Sequence, residues 1–320
     1  MIKASFRLFV KGYNLTPITP RAYWVQQILK MVIFCLGAMY GVIGHAAEDQ
    51  LANQDEVVAQ YLAVNGGVLA IPLESFVDDT SAGLTATFQG RRGFTHNHVT
   101  YFSVAMDTVP GTYSVQLNNG SLTQTVPVKI ENKAYTEQHI TIENQNMVTP
   151  PKETLERISQ EAVKQRKLYA SFTSQIEIGD GFKLPLKGPL TSLFGHKRFF
   201  NGQPRNPHSG LDIAAPTGTP IAAPANGTVV LVDDLYFNGK TVFIDHGQGL
   251  ITMYCHMDKT TVEEGALIKQ GETLGLVGAT GRVTGPHLHW SVSLGGIRID
   301  PQIFMSALNK TQDNSSGVTD

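Results

Sequence analysis

From Gly181 to Pro301, glycine and proline recur at intervals too short for a helix of useful length. Proline lacks the amide hydrogen and blocks the turn before it, and glycine loses the most backbone freedom on ordering. Between these breaks lie short runs in which apolar and polar residues alternate, the period of a strand with one buried face. The stretch 57–142 reads the same way. Val99 to Val104, Tyr113 to Leu117 and Thr123 to Ile130 are separated by Gly66-Gly67, Gly90-Arg91-Arg92-Gly93, Pro110-Gly111 and Asn118-Asn119-Gly120. Many short strands at this spacing predict a mainly β fold. With 320 residues there is room for about two domains. We expect a β-sandwich-like N-terminal domain over 48–148 and a second β-sheet domain over 176–308. Between them, Thr149-Pro150-Pro151 opens a helical pattern in which Leu155, Ile158, Ala162, Tyr169 and Phe172 share a face. It predicts a helical connector over 149–175, capped by Thr149. The polar residues 309–320 read as a disordered tail.

The N-terminus carries Lys3, Arg7, Lys11, Arg21 and Lys30 with no acid among them. An apolar run from Met31 to Gly44 follows and ends in His45-Ala46-Ala47 before Glu48. A basic region, a short apolar stretch and small residues describe an export signal over 1–47. The run is short for a membrane span, which needs about 20 residues, and an uncleaved anchor through residues 31–47 is the alternative. Either reading directs the chain to the periplasm or cell envelope. Cys35 falls in this leader, so the exported chain keeps Cys255 and cannot form an internal disulfide. A net charge of −2 gives no electrostatic case for nucleic acid.

Two histidines, His287 and His289, precede the alternating run Trp290, Val292, Leu294. On a strand they share one face while Leu288 turns to a core. Alone, such a pair is compatible with an exposed strand. Pro207-His208-Ser209-Gly210-Leu211-Asp212 supplies partners, because 208, 210 and 212 alternate onto one side of an extended chain and Gly210 leaves room between them. His208, Asp212 and His289 then offer two imidazoles and a carboxylate. Three protein ligands with an open fourth position describe a catalytic Zn²⁺ site. On Ile251 to Met257, alternation puts Thr252, Tyr254 and His256 on one face and Cys255 in a core on the other. His96 and His98 have no acid nearby in sequence and read as a polar strand or loop face.

These pieces together resemble the lysostaphin/LytM-type M23 zinc metallopeptidases. The resemblance rests on FG at 194–195, HSGLDIAAP at 208–216, NGTVV at 226–230, GKTVFIDHGQGLITMYCHM at 239–257, VEEGALIKQGETLGLVGATG at 262–281, TGPHLHW at 284–290 and DP at 300–301. It implies zinc ligation by His208, Asp212 and His289, and catalytic, non-ligating roles for His256 and His287. It implies a LytM-type β-sheet catalytic domain and hydrolysis of peptidoglycan cross-link peptides by an exported zinc metalloendopeptidase. Met257 and Cys255 depart from the residues usual at their positions, away from the chemistry. TEQHITI at 136–142 and the following helix look, more weakly, like the β-domain and connector of exported members, which can cover the groove. No His-Glu-x-x-His motif offers a glutamate base. His256 is therefore expected as general base and His287 as orienter or oxyanion stabiliser, the two being interchangeable at this stage. A pH limb near the ordinary histidine value of about 6–7 follows. Tyr254 is a candidate substrate-side group, with packing as its alternative. Protein regulators are unspecified.

Two rival functions are weighed. A degenerate domain that activates another wall hydrolase would typically lack zinc ligands, and here all five positions are intact. A lipoyl- or biotinyl-type carrier would need a modifiable lysine at a hairpin tip after Val262-Glu263-Glu264-Gly265. The lysine in Met257-Asp258-Lys259 precedes that run instead.

Overall fold

The computed structural model describes residues 61–315, except 74–75, 77–83, 121–122, 175–176 and 180, with side chains as far as Lys310. The leader over 1–47, with its export and anchor readings, lies outside these residues. Among the described residues no helix is long and apolar enough to cross a membrane.

The N-terminal part is a sandwich. A five-stranded sheet holds Tyr61–Val64, Thr123–Glu131, Gly111–Asn118, Thr85–Phe88 and Arg91–Arg92, in that order. A three-stranded sheet holds Val68–Pro72, Val99–Ser103 and Phe94–His96. Between the sheets pack Leu69, Ile71, Phe88, Phe102, Val115, Val128 and Ile130. Every residue of Val99–Ser103 is buried, because the second face of the small sheet is covered too. Val68, Phe94, Val99 and Tyr101 point away from the sandwich into the core of the C-terminal part. Phe94 and Tyr101 meet the Phe304 ring at 6.5 and 6.4 Å between centroids. The two β regions therefore share one hydrophobic core.

The C-terminal part is built on a ten-stranded sheet. Its centre runs Leu211–Ala214, His287–Leu294, Leu250–Thr260, Gly239–Asp245, Gly227–Leu235, all antiparallel. One face, carrying Leu211, Tyr254, Trp290 and Val292, is sealed by Phe182 and by the helix Pro301–Ser315 through Phe304 and Leu308.

Three expectations change. The C-terminal helix runs through 309–315, assigned from polarity to a tail; its buried Phe304 and Leu308 anchor a helix whose later turns are polar. Residues 316–320 lie outside the described residues. The connector helix spans Lys152–Tyr169 with Pro151, not Thr149, at its N-cap position and no side-chain cap. Its expected apolar face is mostly solvent-exposed or half-buried, and only Tyr169 is buried. Phe172 lies beyond the helix, under the Arg92 guanidinium at 3.7 Å. His96 is buried beside Phe94 instead of lying on a polar face, while His98 sits in a left-handed turn at φ 58°.

One buried histidine makes the fold sensitive to acid. His246 Nδ1–H donates to Asn226 O at 2.7 Å, and its Nε2 lies 2.8 Å from the Thr252 hydroxyl. Burial lowers its pKa to about 4, against a weaker upward pull from the Asn226 hydrogen bond. A neutral histidine whose folded pKa is depressed adds stability that is present above the unfolded value, near 6.5, and is lost as pH falls towards 4. Denaturant unfolding at pH 7 and pH 5 should show a loss on the order of 1–2 kcal/mol from this group. The His246→Gln variant, less stable at pH 7, should lose correspondingly less between the two pH values.

Candidate metal centre

Strand pairing assembles the cluster. Asp212 and His289 lie directly opposite each other on adjacent antiparallel strands, and Cys255 lies opposite His289 on the other side. His208 precedes the strand, held by backbone bonds from Gly195 N to His208 O and from His208 N to His196 O. The three donor atoms converge: His289 Nδ1 to Asp212 Oδ1 is 2.7 Å, His208 Nε2 to Asp212 Oδ1 is 3.0 Å, and His208 Nε2 to His289 Nδ1 is 2.9 Å. This is the group of metal-binding side chains found among the described residues.

The donor set fits zinc. Tetrahedral bonds of about 2.0–2.1 Å put ligand atoms about 3.3 Å apart, so the triangle need open by only a few tenths of an ångström. His208 Nδ1–H donates to Leu193 O at 2.8 Å, with Ser192 Oγ 3.0 Å away, which turns the Nε2 lone pair towards the cluster. Burial alone would raise the Asp212 carboxyl, but hydrogen bonds and charge from His208 and His289 hold it well below the ordinary range. Its second oxygen accepts from Arg198 Nη2 at 2.7 Å. Burial pushes His289 down to about 4, despite the Asp212 hydrogen bond that pulls upward. His289 is thus neutral and Asp212 ionised, the charge states a metal requires, and a metal would take the place of the proton that His289 Nδ1 gives to Asp212 Oδ1.

His256 and His287 stand beside the cluster. The His256 ring centroid is 4.8 Å from His287 and 6.1 Å from His289. His287 shares the strand face of His289, and its Nε2 is 3.9 Å from Asp212 Oδ1. His256 reaches the site by a different route from the one expected. Lys240 pairs with Met257 but Val242 with Tyr254, so the strand carries one extra residue there, a β-bulge. His256 adopts φ 63°, a left-handed conformation that costs a non-glycine residue on the order of 1 kcal/mol or more. The bulge reverses the alternation. Tyr254 and Met257 both face the main core, while His256 joins Met253 and His289 on the cavity side.

Tyr254 is thereby corrected as a substrate-side group. It is fully buried in the core, its hydroxyl 2.9 Å from Thr252 Oγ1, and burial raises its pKa. Cys255 is buried with Tyr169, Phe243 and Met253, its thiol pushed up to about 12 by burial. His196 is half-buried, its Nδ1 3.4 Å from Ser192 Oγ. Arg198, Arg205 and Arg282 are absent from the sequence-based site, yet all three line the cavity. An arginine inside a strand or loop has no spacing signature that marks it as pointing inward.

The cavity, of about 490 Å³, is closed on one side by a strap over 145–169, made of the short turn Gln145–Met147 and the connector helix Lys152–Tyr169. Val148 and Gln165 line it with His208, His256 and His289. Polar contacts hold this strap: Arg157 Nη2 to Asp234 O at 2.6 Å, Tyr236 N to Glu161 Oε2 at 2.9 Å, and Lys164 Nζ to Asp233 Oδ2 at 2.7 Å.

The cluster lies inside a stretch that matches a known family. Residues 206–301 match the family model described as peptidase family M23. A curated Vibrio cholerae protein, peptidoglycan DD-endopeptidase ShyC, is 45% identical over 95 residues, which are 30% of this chain and 22% of that protein. The Neisseria meningitidis DD-carboxypeptidase/endopeptidase Mpg is 40% identical over 94 residues, 29% of this chain and 22% of that protein. The match thus spans about a fifth of the length of these curated relatives. A crystal structure from Pseudomonas aeruginosa named as peptidase M23 is 35% identical with a TM-score of 0.62, covering 77% of this chain and 96% of that one.

Gly210 is where backbone and ligand come closest. A Cβ there would lie 2.5 Å from Trp290 O and 2.7–2.8 Å from His289 ring atoms. Gly210→Ala should push the His289 ring off the triangle and weaken Zn²⁺ binding by about tenfold or more in a competitive chelator titration. Unchanged affinity would mean the ring is free to move.

Proposed function

Because the chain belongs to peptidase family M23, we propose that it is a zinc metalloendopeptidase that hydrolyses peptide cross-links of peptidoglycan. The observation that carries this reading is the meeting of His208, Asp212 and His289 at one point, with His256 and His287 at its edge, inside the matched stretch. The names of the curated relatives support peptidoglycan as substrate and a D,D linkage as the bond cut. The basic-apolar leader supports export to the periplasm or envelope. An inactive activator domain would have no use for an intact donor set whose rings are held in ligating orientations.

His208, Asp212 and His289 would hold the metal. When bound, zinc supplies a Lewis acid next to the scissile carbonyl and the attacking water. The chain's own groups do the rest. His256 Nδ1–H donates to Thr280 O at 2.9 Å, leaving Nε2 free to take a proton from water and pass it to the leaving amine. His287 Nδ1–H donates to Gly285 O at 2.8 Å, leaving its Nε2 to orient the reacting groups. These tautomers follow from the acceptors each ring faces. Arg198 keeps the Asp212 carboxylate oriented.

Burial, with the charges of His287 and His289, lowers the His256 pKa to about 3, so this base is neutral over the whole physiological range. The sequence-based limb at 6–7 moves accordingly. We expect the acid limb of kcat/KM to lie below pH 5, and His256→Ala to keep zinc and the fold while activity drops by about 10²–10⁴-fold. His289→Ala should instead lose zinc at low free metal. Metal analysis beside a sacculus-digestion assay checks both. Zinc loss in His256→Ala would reverse its role, and near-full activity would make His287 the base.

The strap makes this enzyme latent. Removing everything before about Ile176 would also strip Val68, Phe94, Val99 and Tyr101 from the shared core, so loosening the strap is the cleaner test. The exposed Lys164–Asp233 ion pair and the Arg157 hydrogen bond to Asp234 O contribute on the order of 0.2–1.5 kcal/mol each. Arg157→Ala with Lys164→Ala should therefore raise turnover of intact sacculi by about two- to tenfold. Equal turnover in a well-folded variant would count against latency.

A further inference from the structure

The cavity holds more positive charge than its own residues neutralise. Arg198, Arg205, Arg282 and Arg298 line it, and none of the other lining residues is Asp or Glu. Arg198 is committed to Asp212 at 2.7 Å, and Arg298 lies over the Tyr169 ring at 5.0 Å with Nη1 3.3 Å from Ser209 Oγ. Arg205 and Arg282 meet no carboxylate among the described residues. Arg282 is held between two rings, its guanidinium carbon 4.6 Å from the Phe200 centroid and 4.3 Å from that of Phe237. Burial and the neighbouring charges of Arg198 and Arg205 lower its pKa to about 10. For Arg282 a partly dry cleft shared with other guanidiniums is costly without an anion, since buried charges are ordinarily paired. Arg205 is half-buried and is also held by its own loop, through Gln203 Oε1 at 2.7 Å and Pro204 O at 3.1 Å.

The strap supplies a substitute. Arg282 Nη1 donates to Met147 O at 3.3 Å, and Arg205 Nη2 donates to Val148 O at 2.7 Å. These are carbonyls of consecutive residues at the end of the short helical turn Gln145–Met147, aimed at two guanidiniums beside the metal cluster. Each guanidinium thus meets one backbone carbonyl oxygen, a weaker acceptor than the carboxylate that planar guanidinium forks bind best. A neutral carbonyl pair does not discharge the site, so a true carboxylate would bind more strongly.

We propose that Arg205 and Arg282 form a carboxylate-binding subsite that selects cross-linked peptides carrying a free carboxylate near the scissile bond. The carbonyls of Met147 and Val148 occupy it when no substrate is bound. This rests on the peptidase reading above and adds the substrate's charge to it. An acidic peptide thus does two things on entry: it anchors beside the metal cluster, and it displaces the carbonyls that tie the strap down. A peptide whose carboxyl groups are amidated does neither.

The test uses the full chain and two preparations of one cross-linked peptide dimer, with free or amidated carboxyl groups. The wild-type protein should favour the free-carboxylate dimer at least tenfold in kcat/KM, mostly through KM, since a hydrogen bond to a charged group is worth about ten- to a hundredfold. Arg282→Gln and Arg205→Gln should each retain zinc and bring that preference close to one. Arg282→Lys should recover only part of it, because an ammonium lacks the planar fork. Equilibrium binding of both dimers to metal-free protein repeats the comparison without turnover. If neither dimer is cleaved but the free-carboxylate one still binds more tightly, the peptidase reading fails and the subsite stands. The subsite is overturned if the wild type treats both dimers alike in binding, or if the variants lose activity on both equally and keep the preference.

Discussion

A buried carboxylate held between opposite demands governs this molecule. Asp212 offers one oxygen to two imidazoles and the other to a guanidinium, all within 3.0 Å. Burial works against the charge on Asp212, and only the surrounding donors keep it ionised. Each donor depends on a separate part of the chain. His289 comes from the adjacent strand, His208 from the loop before Asp212, and Arg198 from the strand Lys197–Phe200. That last strand pairs in parallel with Glu137–Ile140, from the end of the N-terminal half. The orientation of one carboxylate is thereby tied to the packing of both halves.

The bulge at His256 is the second constraint. A regular strand would turn the His256 side chain into the core beside Tyr254. One extra residue and a left-handed backbone turn it to the cavity, with its Nδ1 fixed by Thr280 O. The strain is local and the surrounding sheet enforces it, as is common where a strand must re-aim a functional side chain.

Charge then links the cleft to its cover. The strap is held by polar contacts along its helix and by apolar packing of Val148 and Met147 with Ile142 and Phe200, and its carbonyls meet arginines that have no acid of their own among the described residues. The polar contacts are individually weak in water. Apolar packing holds the sandwich to the ten-stranded sheet through Phe94, Tyr101 and Phe304.

Short-range pattern carried much of this protein. Glycine and proline spacing specified a mainly β chain, and i, i+2 alternation put His287 and His289 on one face with Leu288 in the core, because that period is intrinsic to an extended backbone. Gly210 was expected to leave room between His208 and Asp212, but the space it leaves lies against the His289 ring and the Trp290 carbonyl, which only strand pairing brings there. What alternation could not reveal was where it breaks. The bulge sends His256 to the cavity and Tyr254 to the core, and it depends on how one strand registers against its neighbours. The arginines of the cleft, the burial of His96, the core shared by the two halves and the carbonyls of Met147 and Val148 were equally invisible. Each arises from contacts between residues far apart in the chain, and only tertiary packing decides which of those meet.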